Sequence, residues 1–456
     1  MKRRHLAIVV ALLAAIPSLA IAAPAAAKPD LASEIRETTL ANGMHVIVWP
    51  DRDIPNVAMY IWYRVGSRNE RPGITGLSHF FEHMMFNGAK KYGPGEFDRV
   101  MEANGGANNA YTSTDVTVYQ NWFPKSAMEL IFDLEADRIE NLAFDDSIVQ
   151  SERGVVYSER RLRVDNSNQG LLNEQVQAAA YVAHPYTFPV IGWPSDIEAW
   201  SKKDLQDYFR TYYAPNNATM IVVGDVAADE VFSLAKKYIE PIPAQKAPDP
   251  VRTVEPEQSG ERRVTFTKDA QVPLIQVAWH IGRANDPNAE TLDLLQAILT
   301  RGDSSRLHQR LVEQDQLALG VGAFQDPRGF DPGLLWIAMT LSAGADPVKA
   351  EKILDEELAK IAKDGPTEAE LRKAKNIQVA DFWRSLKTIN GKAQALGSNE
   401  TFRGDWRQLF SAPDRYEAVT AEQVKQVAAS VFRSTNRTVG VLMPPAAEPE
   451  TKEAAR

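Results

Sequence analysis

Two stretches of alternating apolar and polar residues predict a pair of related β-strands. The first, AMYIWYRVGSRNE, covers residues 58–70, and the second, LIQVAWHIGRAND, covers residues 274–286. A period of two is typical of a strand that turns one face to a core. Both stretches end in Gly-x-x-Asn, and they are separated by 216 positions.

A second pair of stretches repeats at nearly the same separation. LQDYFRTYYAPNNATMIVVGD at residues 205–225 and VKQVAASVFRSTNRTVGVLMP at residues 424–444 are 219 positions apart. Each reads as an amphipathic helix, a loop with Asn and an apolar strand. The nearly constant separation predicts an internal duplication. We expect an α+β protein of two homologous α/β-sandwich halves, each with helices packed on a mostly antiparallel sheet.

A proline-rich segment sets the expected domain limits. The stretch from Glu240 to Arg263 holds five prolines and little apolar periodicity, which is typical of a linker. The sequence thus predicts an N-terminal domain at 31–240, a linker at 241–263, a C-terminal domain at 264–444 and a flexible tail at 445–456.

One helical segment differs in polarity between the two halves. The segment GLSHFFEHMMFNG places His79, Glu82 and His83 in an otherwise apolar helical pattern. A shift of 216 positions puts these three polar residues on Leu295, Ile298 and Leu299. The fold therefore accepts hydrophobic residues there, and the polar residues of the first half indicate a function rather than a packing requirement.

Composition narrows the classes of function. A chain of 456 residues with 44% hydrophobic and 24% charged residues is long enough for two folded domains. The formal net charge of −9 argues against nucleic acid as a partner. The absence of cysteine excludes disulfides and thiolate metal ligands.

The N-terminus has the pattern of an export signal. A basic start, MKRRH, precedes the apolar run LAIVVALLAAI and a small-residue cleavage site ending at Ala22, with Ala27 as an alternative. We therefore expect a signal peptide at residues 1–22 and a periplasmic location. The other interpretation is an uncleaved membrane anchor, but the apolar run is shorter than the roughly 20 residues that a spanning helix needs. No later segment has the apolar length of a transmembrane helix.

The polar residues of the motif suit a metal ion. In a helix, His79 and His83 lie one turn apart on one face and can bind one ion together. Two imidazoles and a carboxylate suit Zn²⁺, which leaves a coordination position for water. Glu82 leans toward the same face, where a general base for that water is needed. The alternative is a helix with two core histidines and a surface glutamate.

A third ligand has to come from elsewhere in the chain. SERGVVYSERRLR, residues 151–163, offers Glu152 and Glu159, which lie seven residues apart and hence on one helical face. On its own, this pair is equally consistent with a solvated charged face.

Taken together, these motifs resemble the M16 (pitrilysin/insulinase) family of zinc metallopeptidases, in particular its M16B branch. The shared features are His-x-x-Glu-His (the inverzincin order) at residues 79–83, Glu159 about 76 residues later, and the run GGANNAYTSTDVTVY at 105–119. The resemblance spans nearly the whole chain after the signal and implies a zinc-dependent endopeptidase acting on extended or unfolded peptides.

The resemblance also implies individual roles. His79, His83 and Glu159 would be the zinc ligands, Glu82 the base that activates a zinc-bound water, and Glu152 a second carboxylate that orients a ligand or accepts a proton. The strand around NNAYTST would be an exposed sheet edge that pairs with a peptide. Its expected substrate-binding residues are Asn109, Ala110 and Tyr111.

One departure from the family bears on activity. Self-sufficient members carry an Arg and a Tyr in the second half, where this chain has Val312 and Leu319. A second, related chain would then supply the pair in a heterodimer, although a homodimer is possible. Otherwise another residue substitutes, and His308 or Arg310 is nearby in sequence. The alternative function is a non-catalytic, peptide-binding or scaffold subunit of such a complex.

Overall fold

The computed structural model describes residues 31–445. The expected signal peptide at 1–22 and nearly all of the expected tail at 445–456 lie outside the described residues. Two β-sheets organise the fold. The six strands of the first sheet are β1 Arg36–Thr39, β2 His45–Pro50, β3 Asn56–Tyr63, β4 Ala107–Thr112, β5 Thr117–Pro124 and β6 Ala218–Gly224. The five strands of the second are β7 Arg262–Thr267, β8 Leu274–His280, β9 Ala318–Gln325, β10 Leu334–Leu341 and β11 Arg437–Met443.

Helices cover the faces of both sheets. In the first half they are α1 Leu77–Met84, α2 Glu96–Ala103, α3 Met128–Asn141, α4 Asp146–Arg160, α5 Asn168–Ala180, α6 Pro194–Ala199, α7 Lys202–Tyr212 and α8 Ala228–Tyr238. In the second half they are α9 Ala289–Thr300, α10 Pro347–Asp364, α11 Glu368–Ser385, α12 Ile389–Arg403, α13 Ala412–Ala418 and α14 Ala421–Val431. Helices of π type follow α4, at Arg161–Asp165, and precede β9, at His308–Gln314.

The two sheets share the topology of five strands, as the internal repeat predicts, and β1 is an additional strand at the edge of the first sheet. Their strand orders are β1-β2-β6-β3-β5-β4 and β7-β11-β8-β10-β9, so that β3 corresponds to β8 and β4 to β9. In each sheet the strand pair β2–β6 or β7–β11 is parallel and the remaining neighbours are antiparallel. The predicted α+β class with two homologous halves is confirmed. Residues Leu295, Ile298 and Leu299 lie on α9 in the core of the second half.

The halves exchange a helix each, which the sequence pattern did not reveal. Helix α12 of the second half packs on β3 and β6, and α5 of the first half packs on β7, β8 and β11. Both contacts are so close that they require glycine. A Cβ atom at Gly397 would lie 2.1 Å from the Trp62 ring nitrogen, and one at Gly440 would lie 2.2 Å from a Val176 methyl group. The predicted domain limits therefore separate the strands of the two sheets but not their helices.

The proline-rich connection contains no helix or strand between Tyr238 and Arg262. Strand β7 begins at Arg262, two residues before the expected start of the C-terminal domain at 264. Glu255 fixes the connection to the first half by accepting the backbone N–H groups of residues 182–184, each at 2.9 Å. Within residues 31–445, none of the helices has the length and apolar character needed to cross a membrane.

Candidate metal centre

Helix α1, which carries the motif, is anchored through a strongly apolar face. Phe80 packs on Trp200, and Phe81 contacts an aromatic cluster that includes Tyr208. Both phenylalanines are fully buried. This anchoring fixes the rotation of the helix, so that His79 and Glu82 line a cleft on the other side.

The free backbone N–H groups at the N-terminus of α1 are bound by the carboxylate of a residue that lies outside the helix. Glu70 accepts the backbone N–H groups of Gly76 and Ser78 at 2.6 and 2.8 Å. A negative charge near the positive end of a helix is favourable, but burial outweighs these two hydrogen bonds and raises the pKa of Glu70 to about 8. Gly76 has φ of 87°, and a Cβ atom there would lie 2.6 Å from the carbonyl oxygen of Ile191, so the position requires glycine.

The side chains of His79, His83 and Glu159 converge on one point. Candidate ligand atoms of the three residues lie within 4.8 Å of one another. Glu159 Oε2 is 3.5 Å from His79 Nε2 and 3.3 Å from His83 Nε2. Glu159 comes from the last turn of α4, which packs directly against α1. Two imidazole nitrogens and one carboxylate oxygen form the donor set that fits a tetrahedral ion such as Zn²⁺ with one open position.

Further contacts orient these three side chains. Glu152, two turns before Glu159 on α4, accepts from His83 Nδ1 at 2.7 Å and from Asn87 Nδ2 at 2.8 Å. With Nδ1 donating to Glu152, loss of the Nε2 proton would leave the Nε2 lone pair of His83 directed at the shared point. On Glu159, the second carboxylate oxygen is paired with Arg163 Nε at 2.9 Å.

The two histidines have opposite electrostatic environments in the absence of a metal ion. Burial, together with the nearby charge of His83, lowers the pKa of His79 to about 4. Burial also acts to lower the pKa of His83, but its bonds to Glu152 and Glu159 outweigh this and raise the pKa to about 9. The hydrogen bonds from His83 and Asn87 outweigh burial for Glu152 and lower its pKa. Hydrogen bonding to His83 likewise lowers the pKa of Glu159. Both carboxylates therefore stay ionised beside the histidines.

Glu82 is held by the edge strand of the first sheet. Thr112 Oγ1 on β4 donates a hydrogen bond of 2.7 Å to Glu82 Oε2. Burial raises the pKa of Glu82 above its ordinary value, although the Thr112 bond opposes this. Glu82 lines the same cleft of about 770 Å³ as His79 and Glu159. It is thus placed to exchange a proton with a molecule in the cleft.

Strand β4 forms the edge of the first sheet beside this cleft, as the sequence predicts. Asn109, Ala110 and Tyr111 all line the cleft. The Ala110 side chain belongs to the first core, whereas the Tyr111 hydroxyl accepts from Gln394 on α12 at 2.9 Å. Side chains of a strand alternate between its faces. Tyr111 is therefore directed to the α12 face, and its backbone is the part that a bound peptide can contact.

The residues that occupy the expected Arg and Tyr positions lie elsewhere. Val312 is on the π-type helix and packs against the core of the second half, and Leu319 is on β9 with 65% of its surface exposed. His308 is paired with Glu313, and Arg310 with Asp315. Among the described residues, these four do not belong to the lining of the cleft that contains His79.

Sequence reasoning missed three residues that contact the site. Thr112, Asn87 and Glu70 are all polar residues in or near the stretches that carry the motif. For Thr112 a signal was present, because it lies two residues after Ala110 and hence on the same face of β4. The contacts of Asn87 with Glu152 and of Glu70 with α1 depend on tertiary packing and have no local signature.

Two duplicated α/β halves carry paired histidines on one helix and a carboxylate from another, which together form a candidate metal site in the His-x-x-Glu-His order. Residues 46–192 match the family described as "Insulinase (Peptidase family M16)", and residues 199–378 match "Peptidase M16 inactive domain". "Zinc protease PqqE" of Helicobacter pylori is 32% identical over 89% of this chain and 92% of that protein. The chain belongs to peptidase family M16.

Solved structures support the same assignment. "The crystal structure of a protease from Helicobacter pylori" has a TM-score of 0.87 and 30% identity, and the match covers 90% of this chain and 99% of that one. "The crystal structure of the periplasmic protease PqqL from Escherichia coli" has a TM-score of 0.75 and 20% identity. That match covers 90% of this chain but 47% of the E. coli chain, so one fold unit of this size forms about half of the larger protein.

Removing the carboxylate behind His83 is expected to weaken metal binding without abolishing it. Glu152→Ala deletes the acceptor of the His83 Nδ1 proton, and the loss of such a partner typically costs about 10- to 100-fold in metal affinity. Glu152→Gln keeps an acceptor oxygen and should lose less. A competition titration with a chromophoric zinc chelator measures both variants. Equal zinc affinity for wild type and Glu152→Ala would show that this contact does not support the site.

Proposed function

We propose that this protein is a zinc-dependent endopeptidase that hydrolyses extended or unfolded peptides. The observation that carries the proposal is the convergence of His79, His83 and Glu159 in a cleft bordered by an unpaired strand edge. Glu82 projects into that cleft from the same helix as the two histidines. In this proposal the cleft would combine a metal site, a base and a peptide-binding edge.

His79, His83 and Glu159 would hold the zinc ion. The nearly complete burial of His79 and the ion pairs around His83 pre-organise the donors before a metal arrives. Zinc bound in this way would lower the pKa of a water ligand from 15.7 toward about 7 and polarise a carbonyl group. The Glu152 carboxylate would keep the His83 ring in the required tautomer and orientation.

Glu82 would act as the general base and then as the acid. It would accept a proton from the attacking water and return it to the leaving amine. The Thr112 hydroxyl holds the carboxylate by one oxygen, Oε2. This bond connects the base to β4, so that the strand that binds the peptide also positions the proton acceptor.

The edge of β4 would bind the substrate as an additional strand. An edge strand presents unpaired backbone N–H and C=O groups, and an extended peptide can satisfy them. Asn109, Ala110 and Tyr111 would contribute through these backbone groups. This mode of binding requires several extended residues, and a folded protein cannot supply them without local unfolding.

A second chain would complete the active site. The tetrahedral oxyanion needs hydrogen-bond donors, and loss of one donor typically costs about 10²–10³ in rate. Val312 and Leu319 offer none, and His308 and Arg310 are engaged in local pairs outside the cleft. We therefore favour a heterodimer with a related chain that carries the Arg/Tyr pair over a homodimer. The match covers 47% of the E. coli chain, so that chain is long enough to hold a second unit of this size.

Export to the periplasm is part of the proposal. It rests on the signal pattern at residues 1–22, which lie outside the described residues. The neighbour of related fold from E. coli is named a periplasmic protease.

Peptide cleavage by the purified protein tests the proposal. The chain is loaded with zinc and incubated with unstructured peptides, first alone and then with the related chain that carries the Arg/Tyr pair. We expect slow cleavage or none by the lone chain and a strong increase on mixing. Full activity of the lone chain would remove the heterodimer. No cleavage in either case, with peptide binding intact, would favour the scaffold function instead.

A further inference from the structure

The cleft that contains the metal centre has a second wall that comes from the other half of the chain. Phe324 and Asp326, at the end of β9 and just beyond it, line the cleft together with His79 and Glu82. The two residues are separated by one position, so they project on the same side of the extended chain. The wall therefore presents an aromatic ring beside a carboxyl group.

Asp326 differs from the other acidic residues of the cleft in having no partner for its carboxylate. Glu82 accepts from Thr112, Glu159 is paired with Arg163, and Glu174 forms two bonds to Arg160. Among the carboxylates that line the cleft in residues 31–445, Asp326 alone has no hydrogen bond or ion pair at its side-chain oxygens.

The position of Asp326 is nevertheless fixed. Its backbone N–H donates to the carbonyl of Leu334 at 2.9 Å, and its own carbonyl accepts from the Trp336 ring nitrogen at 2.8 Å. The Phe324 ring stacks on Trp336 with centroids 5.7 Å apart and an interplanar angle of 5°. A rigid backbone and a stacked ring hold the pair in place, so it can serve as a built contact for a ligand.

The surroundings of the Asp326 carboxyl group favour the binding of a cation. The Asp326 residue is exposed to the cleft, and the protein atoms around its carboxyl group raise its pKa to about 6. A carboxylate that has lost part of its hydration and has no partner of its own is stabilised when an opposite charge reaches it. Arg163, the cationic residue that also lines the cleft, is already bound to Glu159. Among the described residues that line the cleft, no unpaired cation is left for Asp326, so its carboxylate is free to pair with a cation of a bound ligand.

We propose that Phe324 and Asp326 form a subsite that binds a lysine or arginine side chain of the substrate peptide. The apolar stem of such a side chain would lie along the Phe324 ring, and its charged end would reach the Asp326 carboxylate. The subsite makes the second half of the chain a determinant of specificity. The inference rests on the proposed function in one respect, namely that this cleft binds peptides.

A peptide-binding series tests the subsite independently of cleavage. The full chain carrying Glu82→Gln is loaded with zinc, and fluorescence anisotropy measures the affinity for labelled, N-acetylated and C-amidated peptides. Each peptide holds one lysine or arginine, moved along the sequence, and is compared with the same peptide containing norleucine or citrulline. A hydrogen bond between charged groups corresponds to a preference of about 10- to 100-fold at one position. Asp326→Asn should remove most of that preference.

Matched variants separate the subsite from general charge effects. Asp303→Asn removes one negative charge from an exposed position of the second half that is not part of the cleft. It should keep the preference for the basic peptide. Asp326→Lys should reverse the preference toward a peptide with glutamate. Repeating the series at about 0.5 M salt removes long-range attraction to the acidic protein but leaves a close ion pair largely intact.

Each outcome has a distinct meaning. Tight binding of all peptides with no charge preference, or a preference that survives Asp326→Asn, would overturn the subsite and leave the peptidase proposal in place. The series is repeated with the N-acetyl group omitted; tight binding only of these free-amine peptides, with no preference for lysine or arginine among the acetylated ones, would overturn the assignment to a basic side chain. If wild type and Glu82→Gln bind no peptide, with and without the related chain, the proposed function itself fails.

Discussion

Glu82→Gln will abolish peptide hydrolysis while leaving the bound metal in place. Glutamine has nearly the same shape as glutamate and can still accept the Thr112 hydrogen bond, but it cannot take a proton from water. General base catalysis contributes about 10²–10⁴-fold to rate, so we expect kcat/KM to fall by at least that factor. The measurement is cleavage of an unstructured peptide by the complete enzyme, followed by metal analysis of the same samples.

The control for this variant is Glu102→Gln, which makes the same chemical change at an exposed position on α2. It should retain wild-type activity and zinc content. If Glu82→Gln cleaves peptides at the wild-type rate, Glu82 is not the base. If the variant loses both activity and zinc, the lost rate cannot be assigned to proton transfer.

Glu159→Ala will eliminate the stabilisation that zinc gives to the fold. A ligand present at 100 times its Kd stabilises the native state by about 2.7 kcal/mol, and at 1,000 times by about 4.1 kcal/mol. The wild-type protein should gain this free energy of unfolding when zinc is added, measured by denaturant titration with and without the metal. Glu159→Ala removes one of three donors and leaves His83 with one carboxylate instead of two. Its gain should approach zero.

A comparison with His79→Ala strengthens the test, because that variant removes a different donor from the same point. Both variants should lose the zinc effect, whereas Glu102→Ala should keep it. A zinc-dependent gain of wild-type size in Glu159→Ala would exclude this residue as a ligand and leave the site with histidines alone.

The arrangement of the site was predictable where the chemistry follows local periodicity. The spacing of His79 and His83 on one helical turn indicates a metal site, whereas Glu152 and Glu159 stand out only once the family resemblance is added to their spacing. The comparison of His79 with Leu295 is informative because the two residues occupy equivalent positions of the repeat. The second half shows which residues the fold accepts there when no metal site is needed. The structure brings the two helices together and thus removes the alternative of a solvated face for Glu159.

The parts that escaped prediction depend on contacts between distant segments. Nothing local to Asp326 indicates that it faces a cleft built around His79, because this contact follows from how the halves are assembled. The exchange of α5 and α12 likewise depends on the close approach of Gly440 and Gly397 to side chains of the other half. In the sequence, nothing distinguishes these two glycines from other glycines of strands and helices.

The central claim is that two imidazoles on α1 and a carboxylate on α4 bind a single zinc ion. Crystals of the zinc-loaded protein, with diffraction recorded on both sides of the zinc absorption edge, test it most directly. We predict one anomalous peak, situated between the side chains of His79, His83 and Glu159. A peak at another place, or a Glu159 carboxylate turned to solvent with zinc bound by the histidines alone, would contradict the claim.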